Sequence, residues 1–191
     1  MEALLISTGV VALAEIGDKT QLLALVLAAR FRKPVPIVLG ILVATLANHA
    51  MAGAVGAWVA DMVGPGAMRW ILGVSFIAMA VWTLIPDRLD DEDPDGRPPR
   101  FGVFGTTVIA FFLLEMGDKT QIATVALAAK YTSLAAIVAG TTFGMMLANV
   151  PAVLLGEVAA KKLPMQVVHR IAAAIFLALG VTVLLGYGSP V

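Results

Sequence analysis

Two heptads carry most of the chemistry available to this 191-residue chain: Glu15-Ile16-Gly17-Asp18-Lys19-Thr20-Gln21 and, one hundred residues later, Glu115-Met116-Gly117-Asp118-Lys119-Thr120-Gln121. Each sits in a run that is otherwise almost wholly apolar. A carboxylate inside a membrane helix is costly and marks a functional site by default. On an unbroken helix, positions three and four apart share a face. Glu15, Asp18 and Lys19 are therefore expected to project together, and Glu115, Asp118 and Lys119 likewise. If the two faces meet, four carboxylates and two ammonium groups enclose one space. Its charge, −4 from the acids and +2 from the lysines, is that which one divalent cation neutralises.

Carboxylate oxygens suit hard ions such as Mn²⁺, Ca²⁺ and Mg²⁺. Nothing soft is on offer, because the chain has no cysteine and its two histidines, His49 and His169, lie outside the heptads. Crowded acids in a low dielectric repel one another, and burial disfavours their charge, so an empty site should take up protons that an incoming ion displaces. That competition is the physical basis of cation/proton antiport. Lys19 and Lys119 serve as tethered counter-ions in this reading. Thr20, Thr120, Gln21 and Gln121 offer neutral oxygens, and Asn48 and Asn149 lie mid-span as further candidate ligands. No resident cofactor is expected; the metal is cargo.

Plainer roles compete for several of these residues. Glu15–Lys19 and Glu115–Lys119 could be salt bridges within one helix, which would leave Asp18 and Asp118 without a purpose. Asn48 and Asn149 serve equally well as glue between helices. Gly17 and Gly117 read as packing glycines more often than as breaks. Glu157 reads as an interfacial charge, His49 has no counterpart in the second half, His169 reads as a loop residue, and Pro151 is expected to bend its helix.

The elements that position the heptads follow from composition. The chain is 60% hydrophobic and 14% charged, with mean hydropathy +0.93, against about 25% charged residues in a typical soluble domain. The chain reads as an all-α integral membrane protein whose main partner is the lipid bilayer, with nothing pointing to nucleic acid. A spanning helix needs roughly 20 apolar residues, and six candidates appear near 3–29, 35–60, 67–86, 101–129, 133–157 and 166–187. The start, Met1-Glu2-Ala3, lacks a basic stretch and does not read as a cleaved signal peptide. Residues 87–100, rich in Asp, Pro and Gly, read as a solvated linker; they lack the ligand spacing of a calcium loop. Residues 1–86 and 101–191 then form two three-helix repeats.

The repeat extends past the heptads. Ile37-Val38-Leu39-Gly40 parallels Ile137-Val138-Ala139-Gly140, and Leu46-Ala47-Asn48 parallels Leu147-Ala148-Asn149 after a one-residue slip. Three helices per half is odd, so the second half enters the membrane from the opposite side. Such inverted repeats are common in secondary transporters, with the site near the midplane. Arg30, Arg32, Lys33, Arg88, Arg97, Arg100, Lys161, Lys162 and Arg170 share one face, against Arg69 and Lys130 on the other. Positive-inside reasoning places the linker in the cytoplasm and both termini outside it.

The doubled Glu-x-Gly-Asp-Lys-Thr-Gln signature resembles that of the Gdt-type cation/proton exchangers, and the resemblance covers essentially the whole chain. It implies export of Mn²⁺, or of Ca²⁺ and Mn²⁺, in exchange for protons, with Glu15, Asp18, Glu115 and Asp118 carrying the ion. The short length is similar to that of bacterial manganese exporters in the family, which implies a location in the bacterial plasma membrane. Three alternatives are set against this. A small six-span exporter of amino acids or organic cations fits poorly with a narrow, acid-lined site. A membrane hydrolase would lack an accompanying histidine, serine or cysteine. A channel would hold a divalent ion too tightly to conduct fast.

Overall fold

The computed structural model describes residues 1–85, 101–155 and 165–186. Among them are eight helices and no strand: α1 (Glu2–Glu15), α2 (Lys19–Phe31), α3 (Pro34–Met62), α4 (Pro65–Thr83), α5 (Gly102–Glu115), α6 (Lys119–Lys130), α7 (Leu134–Leu155) and α8 (Met165–Leu184). Four segments are long and apolar enough to cross a membrane: Pro34–Met62, Gly66–Thr83, Leu134–Leu155 and Val167–Leu184. They correspond to the expected second, third, fifth and sixth spans, and Pro151 lies inside α7. The linker 87–100, Glu157, Lys161 and Lys162 lie outside the described residues.

The expected first and fourth spans are each interrupted at the heptad. α1 stops at Glu15 and α2 restarts at Lys19; α5 stops at Glu115 and α6 restarts at Lys119. Between them Ile16 is extended (ψ 116°), Gly17 turns to φ +83° and Asp18 is extended again (ψ 166°). Met116, Gly117 (φ +76°) and Asp118 repeat this path. Only glycine adopts such a positive φ without a steric penalty. Gly17 and Gly117 are thus break residues, and the expectation of one continuous helical face across each heptad is corrected. α1 and α2 do not pack along each other, nor do α5 and α6, so each pair is an interrupted rod rather than a hairpin.

The halves correspond helix by helix. α1, α2, α3 and α4 begin at residues 2, 19, 34 and 65, and α5, α6, α7 and α8 begin one hundred residues further on in each case. The packing is exchanged between halves: α1 lies on α7, and α5 lies on α3. Ser7 meets Gly140 and Thr8 meets Gly144, so α1 and α7 run parallel. Thr107 meets Gly40 and Phe112 meets Asn48, so α3 and α5 also run parallel. Gly53, in the second half of α3, meets Leu134 and Val138 at the start of α7, while α2, which leads into the start of α3, meets Ala148 late in α7 through Gln21, so α3 and α7 are antiparallel. Phe76 and Phe176, counterparts at the same offset, stack on one another with ring centroids 6.4 Å apart.

Small residues permit these close approaches, as at many helix contacts in membranes. A Cβ at Gly140 would lie 2.0 Å from Ser7 Oγ and 2.6 Å from the Leu4 carbonyl oxygen. At Gly56 it would lie 2.2 Å from the Val125 carbonyl oxygen. Backbone cannot step aside as a flexible side chain can. Gly140→Ala and Gly56→Ala should therefore each cost about 1–3 kcal/mol by overpacking, measured by unfolding in mixed detergent micelles. Gly9→Ala, with no atom within 4 Å of the new Cβ, should be neutral or slightly stabilising, because alanine is the better helix former.

Candidate metal centre

The backbone breaks bring acid, base and amide groups together at two adjacent points. In the first heptad, Gln21 Oε1 accepts the Gly17 N–H at 2.9 Å, and the Asp18 N–H donates to the Glu15 carbonyl at 3.0 Å. In the second, the matching distances are 2.7 Å and 3.1 Å. These bonds use groups that the ending and starting helices leave unsatisfied. Thr20 Oγ1 donates to Glu15 Oε2 at 2.5 Å, and Thr120 Oγ1 donates to Glu115 Oε2 at 2.9 Å. The N-terminal ends of α2 and α6 lie at the breaks, where their dipoles favour negative charge.

Asp18 and Asp118 occupy the N-cap positions of α2 and α6, yet neither side chain caps its own helix. Each turns instead to the lysine of the other half. Lys19 Nζ lies 2.9 Å from Asp118 Oδ1, and Lys119 Nζ is paired with Asp18 Oδ1. The two pairs interchange under the hundred-residue offset. Bridging within one heptad, the plainer reading of Glu15–Lys19 and Glu115–Lys119, is not the arrangement adopted by the lysines.

Glu15, Glu115 and Asp118 are all buried, and each offers one oxygen within 4.8 Å of the others. Opposed oxygens around a calcium-sized ion are separated by twice the bond length, roughly 4.6–5.2 Å, so one ion of this class fits among them. One oxygen of each carboxylate is held by the protein, through Thr20, Thr120 or Lys19. The second, Glu15 Oε1, Glu115 Oε1 or Asp118 Oδ2, is buried without a hydrogen-bond partner. Buried oxygens left this way are costly unless something else satisfies them. Asp18, the fourth expected ligand, is not one of the three gathered oxygens and is engaged by Lys119.

The supporting residues divide. Asn48 Nδ2 donates to the Phe112 carbonyl at 3.0 Å and its Oδ1 accepts from Gln121 Nε2 at 3.0 Å, so Asn48 joins α3 to the second rod. Gln21 Nε2 donates to the Ala148 carbonyl at 2.9 Å and joins the first rod to α7. Asn149 Nδ2 bonds the Met145 carbonyl of its own helix, while its Oδ1 is buried without a hydrogen bond. His49 is fully buried, and neither ring nitrogen has a hydrogen-bond partner.

His169 is corrected from a loop to a helix position. It sits in α8, and its Nε2 lies 3.0 Å from the carbonyl oxygen of Ile16, the residue at the first break. The heptads gave no hint of this contact. The available signal was positional: Arg69 and His169 are polar counterparts, one hundred residues apart, in two largely apolar helices.

A family profile for the divalent cation/proton antiporter GDT1 matches residues 3–91 and 103–189, both halves of the chain. A curated protein of Vibrio cholerae serotype O1 named "Putative manganese exporter" is 52% identical over 178 residues, covering 93% of this chain and 88% of the relative. No solved structure matches. With both halves matched and 52% identity to that relative over 93% of the chain, the chain belongs to the GDT1 family of divalent cation/proton antiporters, and it is a membrane transporter rather than an enzyme.

Proposed function

We propose that this chain exports Mn²⁺ from the cytosol in exchange for protons, with Ca²⁺ as a second cargo, through the pocket of Glu15, Glu115 and Asp118. Asp18 completes the acid set when Lys119 releases it. The observation that carries this reading is the trio of buried carboxylate oxygens, one per acid, that the protein itself leaves without partners. Oxygen-only ligation suits Mn²⁺ and Ca²⁺, and manganese is what the Vibrio cholerae relative's name says it exports. Protons compete with the ion for the same oxygens, so loading one releases the other.

The architecture in this reading is six membrane crossings, the first and fourth made by the interrupted rods, arranged as two three-helix repeats of opposite orientation. The parallel pairs α1–α7 and α3–α5, with α3 antiparallel to α7, support it. Discontinuous helices meeting near the midplane are how many secondary transporters build their sites. The basic residues around Arg30, Arg32 and Lys33 favour the cytoplasm for their face. Both termini then lie outside the cytoplasm, in a bacterial plasma membrane.

The test is uptake by proteoliposomes bearing a proton gradient. Mn²⁺ should move against its own gradient, collapse of the proton gradient should stop it, and internal pH should change in step with metal movement. Mn²⁺ flux indifferent to the proton gradient, or competition by lysine and arginine but not by Mn²⁺, would sink the proposal.

A further inference from the structure

The two halves repeat one another helix by helix, but the packing of α4 and α8 on the rods does not follow the repeat. α8 packs against α1, and α4 packs against α6. The exchanged contacts, α4 against α5 and α8 against α2, are not formed to a comparable extent. The start of α1 and the end of α6 lie at the same end of the molecule, since Leu4 meets Gly140 early in α7, the helix that directly follows α6. At the opposite end, the start of α5 meets the start of α3, where Phe104 and Thr107 approach Gly40; the end of α2, with Arg30, leads directly into α3. The α4–α8 pair therefore packs on the halves of both rods nearer Tyr131, while the halves nearer Arg30 pack on α3, α7 and one another.

The pocket's surroundings differ in the same sense. At the first break, the Ile16 carbonyl is held by His169 of α8. At the second, Met116 is 55% exposed and Gly117 is exposed too. The Lys19 side chain, on the Arg30 half of its rod, is 22% exposed, whereas that of Lys119 is 1% exposed. An ammonium group near the membrane midplane does not face lipid, so exposure there means water. Arg69, the counterpart of His169, has its Nε buried without a hydrogen-bond partner.

We infer that α4 and α8 form the moving gate of the transporter, caught here sealed toward the Tyr131 face, with the partly exposed Lys19 marking the thinner barrier between the buried acids and the Arg30 face. The opposite state follows by exchanging the halves. α4 then moves onto α5 and α8 onto α2, the His169–Ile16 contact breaks, and Arg69 takes the Met116 carbonyl. The inference rests on the pocket being a transport site, but it concerns access rather than cargo. It also names two residues outside the heptads, His169 and Arg69, as positioning residues that stabilise opposite states.

The chain's lack of cysteine makes the test clean. Single variants Met116→Cys and Ile16→Cys alter neither the acids nor the lysines. In oriented vesicles, a membrane-impermeant quaternary-ammonium thiosulfonate should label Met116→Cys only from the Arg30 face and Ile16→Cys only from the Tyr131 face. Adding His169→Leu should raise the Ile16→Cys labelling rate several-fold, and His169→Gln, which keeps an N–H donor, should restore it. Adding Arg69→Leu should lower that rate. Labelling of both cysteines from one face, labelling of neither in protein that elutes as a single folded species, or rate changes of the same sign for His169→Leu and Arg69→Leu would each overturn the gate. If Mn²⁺ leaves every rate unchanged while the pattern of faces holds, the cargo assignment fails and the gate stands.

Discussion

Glu115→Gln should leave the fold intact and reduce Mn²⁺ flux in proteoliposomes to that of protein-free vesicles. The substitution preserves shape, and the amide oxygen can still accept the Thr120 hydroxyl now bonded to Glu115 Oε2. What disappears is one negative charge and the strong basicity of Oε1, the oxygen left unpartnered in the pocket. Losing a supporting residue behind a ligand typically weakens metal binding roughly 10–100-fold, so losing a direct charged ligand should exceed roughly 100-fold. Thermal stabilisation of the purified protein by Mn²⁺ should vanish in the variant, while its melting temperature without metal should stay near or above that of the parent. Retained metal stabilisation together with retained flux would remove Glu115 from the site.

Lys119→Met should produce the largest loss of stability among the heptad variants, on the order of 3–5 kcal/mol, the range for deleting one partner of a buried ion pair. The methionine keeps the length of the side chain and loses its charge. Asp18 then stays in an apolar interior without this counter-ion; both side chains are essentially inaccessible in the parent. Adding Asp18→Asn should recover most of the loss, because a neutral pair no longer demands compensation. Lys19→Met, at the partly exposed pair with Asp118, should cost distinctly less, since water screens that interaction. Unfolding in mixed micelles compares the three variants directly. Equal costs at the two lysines would contradict the difference in burial.

The sequence was most legible where it broke its own pattern. Charges inside apolar runs at an exact offset identified the acid cluster, because burying such groups without a role is costly. The same offset revealed the correspondence between halves, and four long apolar helices followed from hydropathy alone. The local path of each heptad was less accessible. Helical spacing placed Glu15, Asp18 and Lys19 on one face, but Gly17 at φ +83° interrupts the helix between them. Glu15, Glu115 and Asp118 gather at the backbone breaks rather than along one helical face. Propensity could not reveal this, since a glycine in an apolar run suits close packing equally well, as Gly140 and Gly144 demonstrate.

Partner choice was also hidden. Spacing along one chain suggests lysine–acid pairs inside each heptad, whereas the lysines cross to the aspartates of the other half. Only a three-dimensional arrangement distinguishes these. Asn48 illustrates the same limit: its mid-span position suited either a ligand or a link between helices, and its bonds to Phe112 and Gln121 make the link. His169 escaped notice because its contact is with a carbonyl, which every residue carries and no motif records.

The exchange of helices between halves has a consequence for how this protein is made. Thr8 on α1 hydrogen-bonds the Gly140 carbonyl on α7, 132 residues later in the chain. At roughly 5–20 residues per second of synthesis, the ribosome needs on the order of ten seconds to deliver that partner. Throughout that interval the first charged rod exists without its docking surface on α7. A nascent chain arrested before α7 is made should therefore be a substrate for quality-control proteolysis rather than a stable half-transporter.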